Sequence, residues 1–309
     1  MIKRLKLFLL IIFFLTTSSF ANTGIYIFAT VDEEIITNHD VEKESEYLKI
    51  LNPSLVQLNY DKILDLALNS LIREVVKKKE ITRFTNLSKD NLLVNEQLKN
   101  LFLKLNYNSE GEFEQDLLKK NNYSLNQIKQ KIKIELVWNE LIYKKYFKQV
   151  KINENKLLNR VNNLSEKTQK KFFLSEILFE KKKDQSLETL VGQIKLSINE
   201  IGFNNTANIY SISESSKLGG KLGWVSENSL SESILEKLKL IKIEEYTDVI
   251  KIANSYLILK IDQIELNEIK IDKQLELKKL IQIETNKQLN QFSRIYFDKS
   301  KINYFINEK

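Results

Sequence analysis

The sequence contains no cysteine, one histidine, one proline and seven glycines in 309 residues. Without cysteine, the chain has no disulfides, no thiol nucleophile and no zinc site built on thiolates. A polyhistidine metal site is excluded as well, and a catalytic triad would depend entirely on His39. Seven glycines leave little room for glycine-rich phosphate loops. We therefore expect no cofactor, no metal and no nucleotide.

The composition is that of a folded protein with mixed surface charge. Hydrophobic residues make up 42% of the chain and charged residues 29%, which is typical of globular proteins. The length predicts two domains. The formal net charge is +7, but lysine and glutamate alternate along the chain, as in Glu42-Lys43-Glu44, which is typical of solvated helix faces. The sequence therefore predicts no nucleic-acid partner.

The first 21 residues have the pattern of a secretory signal peptide. Three cations precede an apolar run from Leu7 to Leu15, and small residues follow at Ser19 and Ala21. This pattern predicts export to the periplasm and cleavage after Ala21, which would leave a net charge of +4. The alternative is an uncleaved membrane anchor, although the apolar run is shorter than the roughly 20 residues that a spanning helix needs.

The pattern of residues 22–165 predicts a small hairpin followed by helices. Residues 25–36 are typical of two short strands and a turn. Apolar residues then recur at helical spacing, and Ser, Thr or Asn precedes each helix as a candidate N-cap, with Ser109–Glu112 and Ser124–Gln127 as predicted capping boxes. The predicted helices start at Asn38 (to Leu51), Asp61 (to Ile81), Ser88 (to Leu105), Ser109, Ser124 (to Phe147) and Glu154 (to Leu164).

Beyond residue 167 the pattern changes to that of a compact α+β unit. It contains a predicted strand over 172–179, a helix over 187–201, a glycine cluster over 219–223, a helix over 231–240 and a strand over 255–261. Residues 265–300 return to a helical period, and residues 301–306 are predicted to form a strand. The fold class is therefore α+β, with a mostly helical N-terminal unit and a smaller α+β unit.

Two sets of residues carry a resemblance to known families. Gly219-Gly220-Lys221-Leu222-Gly223-Trp224, with Tyr210-Ser211 before it and Ser255–Ile261 after it, resembles a parvulin-type, PpiC-like peptidyl-prolyl isomerase domain. Ile36-Thr37, Leu71-Ile72 and the segment from Glu112 to Ser124 resemble the N-terminal domain of SurA-like periplasmic chaperones. The resemblance implies a signal peptide (1–21), a helical chaperone domain (22–165), a parvulin-like domain (168–264) and a C-terminal helix and strand (265–309) that pack on the N-terminal domain.

Parvulins use a pair of histidines, a cysteine or aspartate, and a pocket of Met or Leu with Phe. By resemblance, the two histidine positions fall on Glu176 and Leu257, and the cysteine or aspartate position falls on Ser213. The scaffold is thus kept while the polar groups are replaced, so isomerase activity is expected to be weak or absent and no catalytic residue is assigned. The resemblance implies an apolar pocket for a proline or aromatic side chain, formed by Leu230, Ile234, Leu257 and Trp224.

Three functions fit these patterns. The first is an ATP-independent holdase that binds unfolded exported proteins, mainly outer-membrane proteins. The second is a working prolyl isomerase in which Ser213 and Glu176 supply hydrogen bonds, and the third is a membrane-tethered foldase that keeps residues 7–21. Four aromatic residues of the N-terminal domain are candidates either for the core or for client contact: Tyr123, Trp138, Tyr143 and Phe147.

Overall fold

The computed structural model describes residues 24–85, 87, 92–120, 123–162, 169–182, 184–267 and 272–309. The predicted signal peptide and the predicted helix start at Ser88 lie outside these residues. Within the described ranges, none of the helices has both the length and the apolar character that crossing a membrane requires. The architecture is α+β, as the sequence predicts, with two small antiparallel sheets among the helices.

The N-terminal unit begins with the predicted hairpin and continues with helices. The hairpin strands are shifted slightly from the sequence prediction, because Ile25 and Tyr26 are exposed and precede the first strand. The elements are β1 (Ile27–Val31), β2 (Glu34–Thr37), α1 (Asn38–Leu51), α2 (Tyr60–Thr82), α3 (Leu93–Lys104), α4 (Glu110–Lys119), α5 (Leu125–Tyr146) and α6 (Glu154–Asn162).

The two predicted capping boxes differ in the structure. At the start of α5, Ser124 accepts the N–H of Gln127, and the Gln127 side chain accepts the N–H of Ser124, which completes the reciprocal pair. At the start of α4, Ser109 accepts the N–H of Glu112, but the Glu112 carboxylate instead accepts the N–H of Asn108. The box predicted at Ser109 is therefore only half formed, although the helix still begins there.

The second unit contains a four-stranded antiparallel sheet with strand order β4-β3-β6-β5. The helix α8 and the strands β4 and β5 were not predicted, and β6 extends six residues beyond the predicted end at Ile261. The elements are β3 (Gln169–Phe179), α7 (Leu187–Ile201), α8 (Phe203–Tyr210), β4 (Lys221–Ser226), α9 (Glu232–Leu238), β5 (Ile250–Ile252) and β6 (Ser255–Asn267).

The two faces of this sheet carry separate apolar clusters, because successive side chains of a strand point to opposite faces. On one face, α7 and α8 cover Ile177, Phe179 and Ile258. The other face, which we call the pocket face, carries a second cluster, and α9 contributes Leu238 to it. The buried members of that cluster are Phe172, Leu174, Leu230, Leu238, Ile250, Leu257, Leu259 and Ile261.

The C-terminal segment returns to the N-terminal unit. It consists of the helix α10 (Lys273–Lys301) and the strand β7 (Ile306–Glu308), and β7 pairs antiparallel with β1 in a sheet of order β2-β1-β7. The strand predicted over 301–306 lies later in the chain, because α10 continues to Lys301 and a turn follows.

Side chains of α10 also join the N-terminal core. The fully buried Trp138 of α5 donates its indole N–H to Ser293 Oγ at 2.8 Å. The buried carboxylate of Glu80 in α2 accepts the hydroxyls of Tyr296 at 2.5 Å and of Tyr304 at 2.8 Å. The C-terminal helix and strand thus complete the N-terminal unit.

A polar interface holds the second unit against the first. The buried Asn205 of α8 donates to the backbone carbonyl of Ser54 at 3.0 Å, and Ser54 Oγ donates to Asn205 Oδ1 at 3.0 Å. The buried Asn52 donates to the side chain of Asn208. Because buried amides are costly without partners, these reciprocal bonds fix how the two units pack.

Candidate functional site

The site predicted around Glu176 is assembled on the pocket face of β3. Glu176 occupies the position between Leu174 and Leu178, two residues of the pocket-face cluster, and lies opposite Leu259 of β6. Its carboxylate is partly buried, and its Oε1 atom accepts hydroxyl hydrogen bonds from Ser213 at 2.6 Å and from Ser215 at 2.8 Å. Hydroxyl bonds to a carboxylate are short and strong because the acceptor is charged.

The loop that carries the two serines, residues 213–220, is called the serine loop here, and glycine residues fix its backbone. A short 3-10 helix, Glu214–Leu218, follows Ser213 and ends at Gly219 and Gly220, whose φ angles are 68° and 79°. The Gly220 carbonyl accepts the N–H of Glu176 at 2.8 Å, and a Cβ atom at Gly220 would lie 2.3 Å from the Glu176 carbonyl oxygen. Only glycine permits both this backbone conformation and this close approach.

The other side of the loop contacts the N-terminal unit through charges. Lys77 of α2 is buried, and its ammonium lies 3.3 Å from Glu214 and 2.6 Å from Glu135. Arg73 lies 3.4 Å from the same Glu214 oxygen. Although 58% of the Glu214 side chain is exposed, desolvation at this interface opposes its ionisation. The cations Lys77, Lys217 and Arg73 outweigh this and lower the pKa of Glu214 to about 2. The serine loop is thus held between the sheet and the helical unit.

Three of the predicted pocket residues, Leu230, Ile234 and Leu257, lie in one apolar cluster. Leu230 and Leu257 are buried, and Ile234 packs against the same pocket-face cluster. The segment around Leu230 is also held by the N-terminal unit, because Arg160 of α6 donates to the backbone carbonyls of Asn228 and Leu230. The structure therefore places an apolar cluster beside the Glu176 carboxylate.

Trp224 is not part of this assembly. It lies opposite Phe173 on the other face of the sheet, where the two rings meet edge to face at 5.4 Å, and 46% of its surface is exposed. The neighbouring Val225 packs with the pocket-face cluster instead. The prediction of Trp224 as a pocket residue overlooked the alternation of side chains along β4.

The four candidate aromatic residues of the N-terminal domain separate into two pairs. Trp138 and Tyr123 are buried and belong to the hydrophobic core. Tyr143 and Phe147 are 48% and 45% exposed and stack on each other with ring centroids 4.4 Å apart. The single histidine, His39, is exposed at the start of α1 and is remote in sequence from the serine loop.

Sequence reasoning missed Ser215 and the charged contacts of Glu214. The available signal was the segment Ser213-Glu214-Ser215 itself, which places two hydroxyls and a carboxylate just before the glycine cluster. Lys77 carried a weaker signal, since it lies one helical turn before the buried Ile81. In the part of the chain that the structure describes, no group of three or more His, Cys, Asp or Glu residues is placed to hold a metal ion.

Comparison with known proteins identifies the second unit. Residues 167–263 match the family described as Rotamase, PPIC-type PPIASE domain. These residues form a PpiC-type domain. A search of curated proteins found no match to the chain. By the parvulin resemblance, the two histidine positions of this domain fall on Glu176 and Leu257, and the cysteine or aspartate position falls on Ser213.

The chain is also similar to several solved structures. PrsA from Bacillus subtilis is 19% identical over 88% of this chain and 91% of that chain, with a TM-score of 0.29. A structure described as PEB4 and Cj1289, two SurA-like chaperones of Campylobacter jejuni, is 19% identical over 92% of this chain and 98% of that chain, with a TM-score of 0.32. TbPIN1 is 16% identical over 29% of this chain and 96% of that chain, with a TM-score of 0.26.

Proposed function

We propose that this protein is an ATP-independent periplasmic chaperone that binds unfolded exported proteins, chiefly outer-membrane proteins. In this proposal residues 22–165, completed by residues 265–309, form the chaperone domain, and residues 168–264 form a PpiC-type domain that binds clients with little or no isomerase turnover. Residues 1–21 direct export and are removed. The observation that carries the proposal is the Glu176–Ser213–Ser215 cluster on an intact PpiC-type scaffold.

The chemistry of prolyl isomerisation explains why this cluster favours binding over turnover. The barrier is the amide resonance, on the order of 18–20 kcal/mol, and a catalyst lowers it with hydrogen bonds that strengthen as the amide twists. Here the hydroxyls of Ser213 and Ser215 both donate to Glu176. Leu257 has no polar side-chain group. The site therefore has no side-chain donor among these residues directed at a bound proline.

The exposed aromatic pair of the N-terminal unit supports client binding. Tyr143 and Phe147 stack on each other and remain about half exposed. Aromatic side chains bind apolar segments with little loss of conformational entropy. A protein that binds unfolded clients limits their aggregation by mass action and needs no nucleotide.

The test uses the full mature chain in two assays. We expect it to suppress aggregation of a urea-denatured outer-membrane β-barrel protein on dilution without ATP, and to leave the cis–trans exchange of a Pro-containing tetrapeptide near its uncatalysed rate. A double variant, Tyr143→Ser with Phe147→Ser, should suppress aggregation less well, whereas Leu158→Ser, at another exposed apolar position, should behave like the parent chain. Rapid prolyl exchange, or no effect on aggregation, would refute the proposal.

The alternative function is an active isomerase with a rearranged site. One observation favours it, because Ser213 and Glu176, the residues expected to supply hydrogen bonds in that site, lie together, with Ser213 Oγ 2.6 Å from Glu176 Oε1. In that case Glu176→Gln and Ser213→Ala should each lower kcat/KM for prolyl exchange by about tenfold or more. Under the proposed function, neither substitution changes an exchange rate that is already close to the uncatalysed one.

Export is tested separately by sequencing the N-terminus of the protein recovered from the periplasm. Cleavage after Ala21 predicts Asn22 as the first residue. Recovery of the chain in the membrane fraction with residues 7–21 retained would instead support the tethered foldase.

A further inference from the structure

The strand β4 lies at one end of the sheet of the PpiC-type domain. It pairs with β3 on one side and has no partner strand on the other among the residues that the structure describes. An unpaired strand edge presents backbone N–H and C=O groups to which another extended chain can bind. Exposed strand edges of folded proteins usually carry features that prevent such pairing.

Only the beginning of the edge is protected. Lys221 places a charge at the start of β4, and the register shifts between Lys221 and Gly223, which leaves a bulge at Leu222. Charges and bulges are the usual means of blocking a strand edge. The remaining four residues, Gly223–Ser226, contain no charge, no proline and no register shift. They form an open edge at which a further strand can pair.

The surroundings of this open edge are apolar on one face and spacious on the other. Trp224 is 46% exposed and contacts Phe173 edge to face. Gly223 lies on the pocket face, and a Cβ atom built there would meet nothing within 4 Å. A peptide that pairs with Gly223–Ser226 can therefore place alternate side chains against Trp224 and into the open space beside the pocket face.

Positive charge marks one end of the edge. Lys221 shares the face of Trp224, because they lie opposite Ser175 and Phe173, alternate residues of β3. Lys221 is exposed, so a carboxylate of a bound segment can pair with its ammonium group at this end of the edge.

We propose that Gly223–Ser226 binds one extended segment of an unfolded client as an additional antiparallel or parallel strand. The segment carries an aromatic or aliphatic side chain that packs on Trp224 and an acidic residue that binds Lys221. Main-chain hydrogen bonds supply affinity without regard to sequence, and these two side-chain contacts set the preference. The inference rests on the proposed chaperone function and assigns it a binding surface.

The first experiment measures amide hydrogen exchange of the full mature chain with a synthetic eight-residue peptide of alternating Tyr and Thr that ends in Asp. We expect exchange to slow at residues 223–226 and not on α7. Two further peptides have the same side chains but are N-methylated on the odd-numbered or on the even-numbered backbone amides. One of the two should bind at least about tenfold more weakly than the parent peptide, because it lacks the N–H groups that would complete the hydrogen-bond ladder with β4.

Variants separate the main-chain and side-chain contributions. Trp224→Thr, which keeps a strand-forming residue, should weaken the peptide by about tenfold. Lys221→Glu should weaken the Asp peptide more than its Asn counterpart. Leu196→Ala is the matched control, because Leu196 is 58% exposed on α7 of the same domain and should leave affinity unchanged. Circular dichroism of each variant shows whether it has folded.

Several outcomes would overturn the inference. Peptide binding without protection of residues 223–226, or equal affinity of both N-methylated peptides and the parent peptide, excludes strand addition. Protection that appears without peptide and grows with protein concentration would show that a second copy of the chain occupies the edge. If the chain suppresses aggregation but β4 stays unprotected, this inference alone fails; if it neither suppresses aggregation nor binds the peptide, the proposed function fails with it.

Discussion

Two carboxylates, one in the N-terminal unit and one in the PpiC-type domain, differ in their burial and in the groups that surround them. Glu44 of α1 is 2% exposed, and it accepts hydroxyls from Ser70 at 2.7 Å and Tyr123 at 2.8 Å and pairs with Lys131 at 2.8 Å. Glu176 of the PpiC-type domain also accepts two hydroxyls, but it is only partly buried and has no cation within ion-pair distance among the described residues.

The difference lies in how completely each charge is compensated. Burial would raise the pKa of Glu44, but Lys131 and the two hydroxyls outweigh this and lower it. Glu44 is therefore a buried charge that is fully compensated by its neighbours and has a structural role. Both serine bonds at Glu176 reach Oε1, and Oε2 has no hydrogen-bond partner among the described residues. Glu176 thus keeps one carboxylate oxygen that can accept a further hydrogen bond, as the proposed client-binding role requires.

The largest loss of stability is expected from removing Lys131, the cation that pairs with Glu44. Lys131→Met leaves the buried Glu44 without its counter-charge, and we expect unfolding free energy to fall by about 3–5 kcal/mol. Urea unfolding of the full chain measures it. Lys129→Met, on the same helix and paired with the exposed Glu110, is the control and should cost under about 1 kcal/mol. A loss below about 1 kcal/mol for Lys131→Met would contradict the account of Glu44.

A smaller loss of stability is expected at Gly220, whose backbone lies against the carbonyl group of Glu176. Gly220→Ala introduces a Cβ atom 2.3 Å from the Glu176 carbonyl oxygen at a φ of 79° and should cost about 2–4 kcal/mol. Gly223→Ala has a similar φ of 86° but open space, so it should cost only about 1 kcal/mol. Thermal unfolding compares the two. Equal losses would mean that backbone strain, and not the close approach, determines the requirement for glycine.

The buried Glu80 extends the comparison to acid stability. Burial opposes its ionisation, but hydrogen bonds from Tyr296, Tyr304 and Arg83 outweigh this and lower its pKa in the folded state. Its contribution is therefore complete above the unfolded pKa of about 4.3 and is lost as pH falls through the lower folded pKa.

Replacing Glu80 tests this reasoning. Glu80→Gln should destabilise the chain by about 1–3 kcal/mol at neutral pH, and the difference from the parent chain should shrink towards pH 3. The measurement is urea unfolding at a series of pH values, with the exposed Glu42→Gln as the control. A difference that stays constant across this range would contradict a lowered pKa at Glu80.

The smallest loss of stability is expected for the ion pairs that join Glu214 of the serine loop to the N-terminal unit. Glu214 is 58% exposed although it pairs with Arg73 and Lys77, so solvent screens these ion pairs. Glu214→Gln should cost under about 1 kcal/mol of stability, but it should speed amide exchange of the serine loop, residues 213–220, because one side of the loop is released. Glu227→Gln, an acidic neighbour of β4 with no ion pair among the described contacts, should leave the loop unchanged. Unchanged exchange in Glu214→Gln would show that the charges do not position the loop.

The sequence predicted most elements because periodicity and caps are local properties. The helix α7 occupies the predicted range, 187–201, and Ser124 caps α5 as expected. The helix α8 was missed because its polar segment, Phe203–Tyr210, follows Gly202 directly and is stabilised by contacts with the N-terminal unit, such as Asn205 with Ser54. A three-residue strand such as β5 has too little pattern to detect.

The site was predicted in part, because resemblance gives positions along a chain but not their partners. It placed Glu176 and Ser213 near each other and grouped Leu230 with Leu257. It could not show that Ser215 shares the same carboxylate or that Trp224 lies on the far face. The first fact depends on how the serine loop folds onto β3, and the second on the register in which β4 pairs with β3, and a single sequence contains neither.

The pairing of β7 with β1 sets an order for biogenesis. Strand β1 is among the first described residues to leave the ribosome, yet its second neighbour exists only after residue 308 has been made. The PpiC-type domain, encoded between them, has all four of its strands before that point. During synthesis the β2-β1 hairpin therefore still lacks its third strand when the PpiC-type domain already has all four of its own, so the part of the chain that is made first is completed last.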